Sequence, residues 1–462
     1  MKITLINPYE LGRQPFGLAE PAALLAREGC TVTCCDLSIQ KLDACLYADT
    51  ELVGIYVPMH TATRIAVEAL PKIRQLSPHA RLCIFGLYAP MNVDLFRSLG
   101  VNAVIGGEFE GGLLELVRQL RSSDQPPPFM ATTRLDKVPF IVPDRSGLPT
   151  LDQYASLVMP DGTTRTAGFV ETTRGCRYHC KHCPVVPVYA GKFFVIPMDV
   201  VMEDIAGQIA AGARHISFGD PDFFNGPGHA LRIVRALHAR YPDLTWDATI
   251  KIEHIVRYPD EIRELGRYGC LFILSAVESV DDALLALLDK GHSRADFIAA
   301  LALMREAGIV LAPTFVAFTP WTRLEHYLAL LTDIIALQLV EAVAPVQLSI
   351  RLLVPAGSLV LDIEGSERCI GPFDLAVLGH PWVHPDPRMD RLQQDVQAWV
   401  QQAESDGRSR ADIFTGVWRL AHEAAGLPVP SIDLHAAGTP VPRLSENWYC
   451  CAEPTCEQLA SF

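Results

Sequence analysis

Gly175-Cys176-Arg177-Tyr178-His179-Cys180-Lys181-His182-Cys183-Pro184 sets three thiols on one short polar stretch, directly after the strand-like run Gly168–Thr172. Three thiolates on a tight loop can hold three irons of a [4Fe-4S] cluster. The fourth iron is then left without a protein ligand, free to chelate a small molecule and pass it an electron. Gly175 lets the backbone turn sharply where the strand ends. Zinc is the alternative, with His179 or His182 as a fourth ligand. Three buried structural cysteines suit a loop this polar less well than either.

Working outward, residues 166–355 alternate strand and helix patterns. Candidate strands are Gly168–Thr172, His215–Gly219, Thr245–Ile250, Leu271–Ala276, Val310–Phe318 and Val346–Leu353. Helical patterns at Asp199–Ala211, Ala230–Tyr241 and Ser293–Ala307 lie between them. Six such units suit a partial (β/α)6 barrel, whose chemistry sits at the strand C-termini. Residues 1–125 also alternate, with strand runs at Lys2–Ile6, Thr31–Cys35, Leu52–Tyr56, Arg81–Phe85 and Ala103–Ile105. They predict a Rossmann-like parallel sheet covered on both faces. Residues 126–165, with scattered prolines, read as an extended linker. Residues 356–462 read as mostly helical or irregular, with a Cys-rich end. The fold class expected is α/β.

The cysteine loop resembles the CxxxCxΦC signature of the radical S-adenosylmethionine (radical SAM) superfamily, with His182 in the Φ place and Cys176, Cys180 and Cys183 as cluster ligands. The resemblance covers residues 166–355. It implies that SAM binds the open iron and that one-electron reduction breaks a carbon–sulfur bond of the sulfonium. Gly219-Asp220-Pro221-Asp222 stands where the family often has Gly-Gly-Glu against the SAM amino group, so Gly219, Asp220 and Asp222 are candidate contacts. Ser275-Ala276-Val277-Glu278-Ser279 looks like the ribose-contacting segment, with Ser275 and Glu278 the best candidates. Phe318-Thr319-Pro320-Trp321 takes the place of an adenine-contacting turn. Lys251 and Arg351 are candidate partners of the SAM carboxylate. The N-terminal unit resembles the cobalamin-binding domains that precede many such barrels, through Asn7-Pro8 and Gly106-Gly107-Glu108-Phe109-Glu110. The Asp-x-His-x-x-Gly of base-off corrinoid binding is absent, and cobalamin is the third candidate cofactor.

The tail, Cys450-Cys451-Ala452-Glu453-Pro454-Thr455-Cys456, looks like that of a radical SAM group with a Cys-Cys-Ala-Glu-Pro or selenocysteine-containing terminus. A position that accepts selenium in relatives suggests a reactive nucleophile. Cys450, Cys451 and Cys456 are expected to grip a thiophilic substrate or to act in redox steps; a solvated chain end is the alternative. Trp382, His380 and His384 read as a structural group.

The chain has 462 residues, 53 acidic against 39 basic, and a formal charge of -14. That balance argues against nucleic acid or an anionic membrane as partner. No apolar run reaches the ~18 residues of a spanning helix, and Met1–Pro8 is no signal peptide. The expectation is a cytoplasmic enzyme with reduced thiols. Its partners would be a small-molecule or soft-element substrate and an electron donor such as a flavodoxin or ferredoxin. Of 13 cysteines, the remaining seven (30, 34, 35, 45, 83, 270 and 369) are read as packing residues. A redox or soft-metal sensor without turnover, and a cobalamin-dependent methyltransferase, are the competing functions.

Overall fold

The first six strands are Lys2–Asn7 (β1), Thr31–Asp36 (β2), Leu52–Tyr56 (β3), Arg81–Phe85 (β4), Ala103–Gly107 (β5) and Met130–Arg134 (β6), the inner ones built on runs of buried aliphatic residues. The structure is a computed structural model that describes residues 1–122, 128–137, 139–432, 438 and 440–446. The six strands make one sheet in the order β2-β1-β3-β4-β5-β6, all parallel. Two apolar layers cover it. One includes Ile55, Ile65, Ile84 and Phe96, the other Leu5, Leu25, Phe85 and Leu113. β6 arises in the stretch that reads as linker. Its residues alternate between half-buried and exposed, as expected at a sheet edge, so no apolar run betrays the strand.

The second sheet contains Ser156–Val158 (β7), Thr164–Val170 (β8), His215–Phe218 (β11), Thr245–Thr249 (β12), Cys270–Glu278 (β13), Val310–Phe315 (β14) and Arg443–Leu444 (β15). Thr173–Gly175 (β9) and Phe193–Val195 (β10) pair separately as an antiparallel ribbon. The sheet order is β14-β13-β12-β11-β8-β7-β15. Strands β8 to β14 run parallel, while β7 and β15 extend the sheet antiparallel at its open edge.

The expected sixth barrel strand, Val346–Leu353, is not a strand. Pro345–Leu348 is a 3-10 turn, and a single bridge links Phe318 to Arg351. Pro345 has no N–H to give a ladder. The Gln347 side chain accepts the Phe315 N–H at 3.1 Å, so an amide replaces the backbone partner a strand would supply.

The helices Pro387–Ser405 and Arg410–Ala425 join the barrel core through Val396, Val400, Phe414 and Val417. No helix among the described residues is long and apolar enough to cross a membrane. One cysteine expectation is corrected. Cys35 and Cys45 form a disulfide, with Cα atoms 5.7 Å apart. The end of β2 and the short helix Leu42–Cys45 bring both thiols to one buried spot, within bonding range.

The two units meet at Arg174, in β9. Its guanidinium contacts Glu20 and Glu110, lies 2.9 Å from Glu171 and 3.6 Å from Glu108. The rings of Phe16, Phe109 and Phe140 each lie 5.2 Å from it. Burial pushes the Glu20, Glu108 and Glu171 carboxyls up, against the pull of the Arg174 cation. Arg174→Met strips that cation from buried carboxyls and should cost about 3–5 kcal/mol in chemical denaturation. A variant within about 1 kcal/mol of wild type would remove Arg174 as the junction.

Candidate active site

The cysteine loop follows β9 without a gap. Gly175 has φ +73°, and a Cβ there would lie 2.4 Å from the Tyr189 ring and 2.5 Å from the Lys192 carbonyl oxygen. Only glycine fits that turn. Asn225 pins it from both sides: its amide donates to the Gly175 carbonyl, and its oxygen accepts the Arg177 N–H, each at 3.2 Å. The Lys181 N–H donates to the Leu288 carbonyl at 3.0 Å, tying the loop's far half to the segment beyond β13.

Cys176, Cys180 and Cys183 all line one cavity at the C-terminal ends of the barrel strands. Burial pushes the Cys176 thiol up to about 11 and the Cys183 thiol to about 12. Thiolates there need a cationic partner or a metal. Among the described residues no three His, Cys, Asp or Glu side chains converge on a single-ion site. A cubane takes its thiolates spaced apart, one on each of three irons, so the loop suits the cluster better than zinc. His179 is exposed and packs against Gly191, and His182 turns to Glu278. Neither completes a zinc sphere.

Two lysines serve the thiols. Lys251 Nζ lies 3.7 Å from Cys180 Sγ and 3.4 Å over the Tyr178 ring. Lys290, which sequence reasoning missed, is buried 3.3 Å from Glu278. Burial opposes its charge, but Glu278 and the nearby Cys180 outweigh it and raise its pKa. Glu278 accepts from His182 Nε2 at 2.9 Å. Burial would raise this carboxyl, yet Lys290 and His182 hold it down at about 2. Its backbone is strained at φ +67°, a conformation costing of order 1–3 kcal/mol, and it aims the carboxylate into the cavity.

A second chain of polar groups crosses the loop. Asp222 pairs with His254 Nδ1 at 2.9 Å, and His254 Nε2 meets the Tyr178 hydroxyl at 2.5 Å. The sequence signal for it was only Asp222; His254 comes from the helix Ile252–Arg257.

Several expected contacts are placed elsewhere. Asp220 does not face the cavity. It accepts the Thr172 N–H and the Thr172 and Thr173 hydroxyls at 2.6–3.1 Å, ordering the backbone ahead of the loop. A Cβ at Gly219 would strike the Phe169 ring at 2.2 Å, so this glycine makes room for packing. Ser275 donates to the Ile250 carbonyl at 2.7 Å and ties β13 to the end of β12. Thr319 Oγ1 accepts the Trp321 and Thr322 N–H groups and caps its own turn. Arg351 stacks 3.4 Å over Trp382 and pairs with Asp390 at 2.8 Å. Cys450, Cys451 and Cys456 lie outside the described residues.

Residues 170–323 match the model of the Radical SAM superfamily. The barrel is a radical SAM domain. It makes the chain an enzyme, and the likeness extends beyond it. The cobalamin-dependent SAM radical enzyme OxsB, solved with aqua-cobalamin, aligns at TM-score 0.66 and 16% identity over 87% of this chain and 67% of that one. The radical SAM methyltransferase TsrM from Kitasatospora setae, with tryptophan and a SAM analogue, aligns at 0.62 and 17% over 93% and 91%. A protein named "putative methylthiotransferase" from Methanocaldococcus jannaschii is 21% identical over 71% of this chain and 73% of its own length.

In the N-terminal unit, the strand-end glycines are the positions a corrinoid would meet. A Cβ at Gly106 would lie 2.5 Å from Pro90, one at Gly107 2.0 Å from the Arg134 carbonyl oxygen, and one at Gly86 3.0 Å from Tyr56. These strand-end glycines serve the sheet's own packing.

Burial pushes the Asp220 carboxyl up to about 6. A folded pKa above the unfolded one gives stability that is complete below about pH 4 and is lost as pH rises through 6. Relative to Asp220→Asn, the wild type should therefore lose roughly 2–3 kcal/mol between about pH 4 and 7, read by denaturant titration at each pH. A pH-independent difference would show that the carboxyl holds no extra proton in the folded chain.

Proposed function

We propose that the chain reductively cleaves SAM and uses the radical to modify, or transfer a group to, a small molecule held in the barrel. The observation that carries this is the meeting of three cysteines, two lysines and Glu278 around one cavity. When bound on Cys176, Cys180 and Cys183, a [4Fe-4S] cluster would supply the electron and an open iron for SAM. The donor set fits: three thiols on one loop, with Lys251 and Lys290 beside them to offset thiolate charge.

The chain's own groups do the rest. Lys251 has an ammonium in reach of a carboxylate chelated next to Cys180. Glu278, held ionised, can accept hydrogen bonds from an ammonium or ribose hydroxyls. Leu274, Ala276, Phe315 and Val316 give the cavity apolar walls, which keep water from a reactive carbon radical. A flavodoxin or ferredoxin would serve as electron source.

Cys450, Cys451 and Cys456 retain their proposed role at the substrate. Glu446, the last described residue, lines a chamber of the barrel. Cys450 follows four residues later, and four extended residues span at most about 14 Å.

Anaerobically reconstituted wild type should show cluster absorbance and release a SAM fragment under strong reductant; the fragment identifies the bond broken. The Cys176, Cys180, Cys183 to Ala triple variant should lose both. Its retaining them would sink the reading. Cys450→Ser/Cys451→Ser should still cleave SAM but lose product. Unchanged product formation would return the tail to a solvated chain end.

The second reading is cobalamin-dependent methyl transfer, favoured by the alignment with OxsB and TsrM. Full-length protein produced with hydroxocobalamin and desalted should then keep near-stoichiometric corrinoid; a corrinoid-free product that cleaves SAM decides against it.

A further inference from the structure

Below the cysteine cavity the barrel holds a second, smaller chamber. The two share a wall made by Leu274, Thr314 and Gln347. The inner chamber's body is apolar, with Phe272, Ala312, Pro313 and Leu444 among its lining residues. Its charged groups are Arg13, Arg410, Arg443 and Glu446.

Glu446 accepts the Tyr9 hydroxyl at 2.6 Å. Among the described residues neither Arg410 nor Arg443 has a carboxylate at ion-pair distance; Arg410 donates to the Glu341 carbonyl. Burial, followed by repulsion from Arg443, pushes the Arg410 guanidinium down to about 10, against the weaker pull of Glu341 and Glu404. Both arginines are half-buried on the chamber, and two adjoining guanidinium forks are shaped for one carboxylate. The placement is also directional. Both arginines come from the C-terminal region, on β15 and at the start of the helix Arg410–Ala425, across the lumen from the cysteine loop.

The geometry points to a substrate with an apolar body and a carboxylate head, the head bound between Arg410 and Arg443 and the body directed past Leu274 and Thr314 toward the cysteine cavity. This names a substrate class for the site and rests on the radical SAM reading. A carboxylate at that end anchors the molecule remote from the reacting carbon, so binding energy is gained without occupying the iron side.

The test uses the full-length reconstituted protein and two probes, octanoate and its neutral counterpart octanol, in calorimetric titrations. Octanoate should bind at least about tenfold tighter than octanol. Arg410→Gln/Arg443→Gln should erase the difference, and Arg410→Lys/Arg443→Lys should restore most of it. Equal affinity for the two probes, no octanoate binding at millimolar concentration, or an unchanged preference in the Gln pair each overturns the inference. The wild-type comparison of probes decides even if a variant fails to fold. SAM cleavage by the wild type is measured in parallel. Cleavage without octanoate preference refutes the chamber alone; preference without cleavage refutes the radical SAM reading alone.

Discussion

Arg174 is the point on which the arrangement depends. It sits two residues before Cys176 and reaches back into the N-terminal unit, so one side chain fixes both the start of the cysteine loop and the docking of two sheets. The energetics favour arginine over lysine. Four carboxyls surround it, and a planar fork can give several of them a hydrogen bond at once. The phenyl rings around it accept a cation that would otherwise be desolvated against hydrocarbon. The Tyr189 hydroxyl donates to Glu108 at 2.9 Å, so the residue that forces glycine at 175 is itself held by the same cluster. Local backbone, domain contact and loop position are thus one constraint.

The chain as a whole is acidic, at -14, yet the walls of its barrel carry cations: Lys251 and Lys290 above, Arg410 and Arg443 below. This inversion follows from what the walls face. Thiolates and carboxylates in an apolar cavity need compensating charge that bulk solvent cannot provide. Glu278 shows how finely that charge is balanced. Its two cationic neighbours overcome burial, and its strained backbone is the cost of aiming it there.

Much of the fold was legible because buried parallel strands and amphipathic helices leave plain apolar periods. Ten of the alternating strand runs could be read that way from composition alone. What escaped lacked such a period. β6 is an edge strand of alternating exposure, β7 and β15 are only three and two residues long, and Val346–Leu353 has strand-like residues but an amide and a proline where a ladder is needed. In the site, the cysteine loop was readable because its spacing is local. Lys290, His254 and Arg174 are chosen by contacts between elements 12 to 154 residues apart, and no local pattern marks them. Asp220 and Ser275 stood at the expected strand ends, but position on a strand does not say which way a side chain turns.

The N-terminal sheet gains a structural role from this. Its loop after β1 supplies Leu11 and Arg13 to the inner chamber, and Tyr9 holds Glu446 beside them. An incomplete barrel is open on one side, and radical chemistry needs that side closed to water. β7 and β15 extend the sheet at one edge, and the β1 loop lines the chamber beside them. The closing strand β15 also carries Arg443 and is followed directly by the cysteine tail. A single short segment therefore extends the sheet, places a guanidinium on the chamber and precedes in sequence the stretch that bears the thiols.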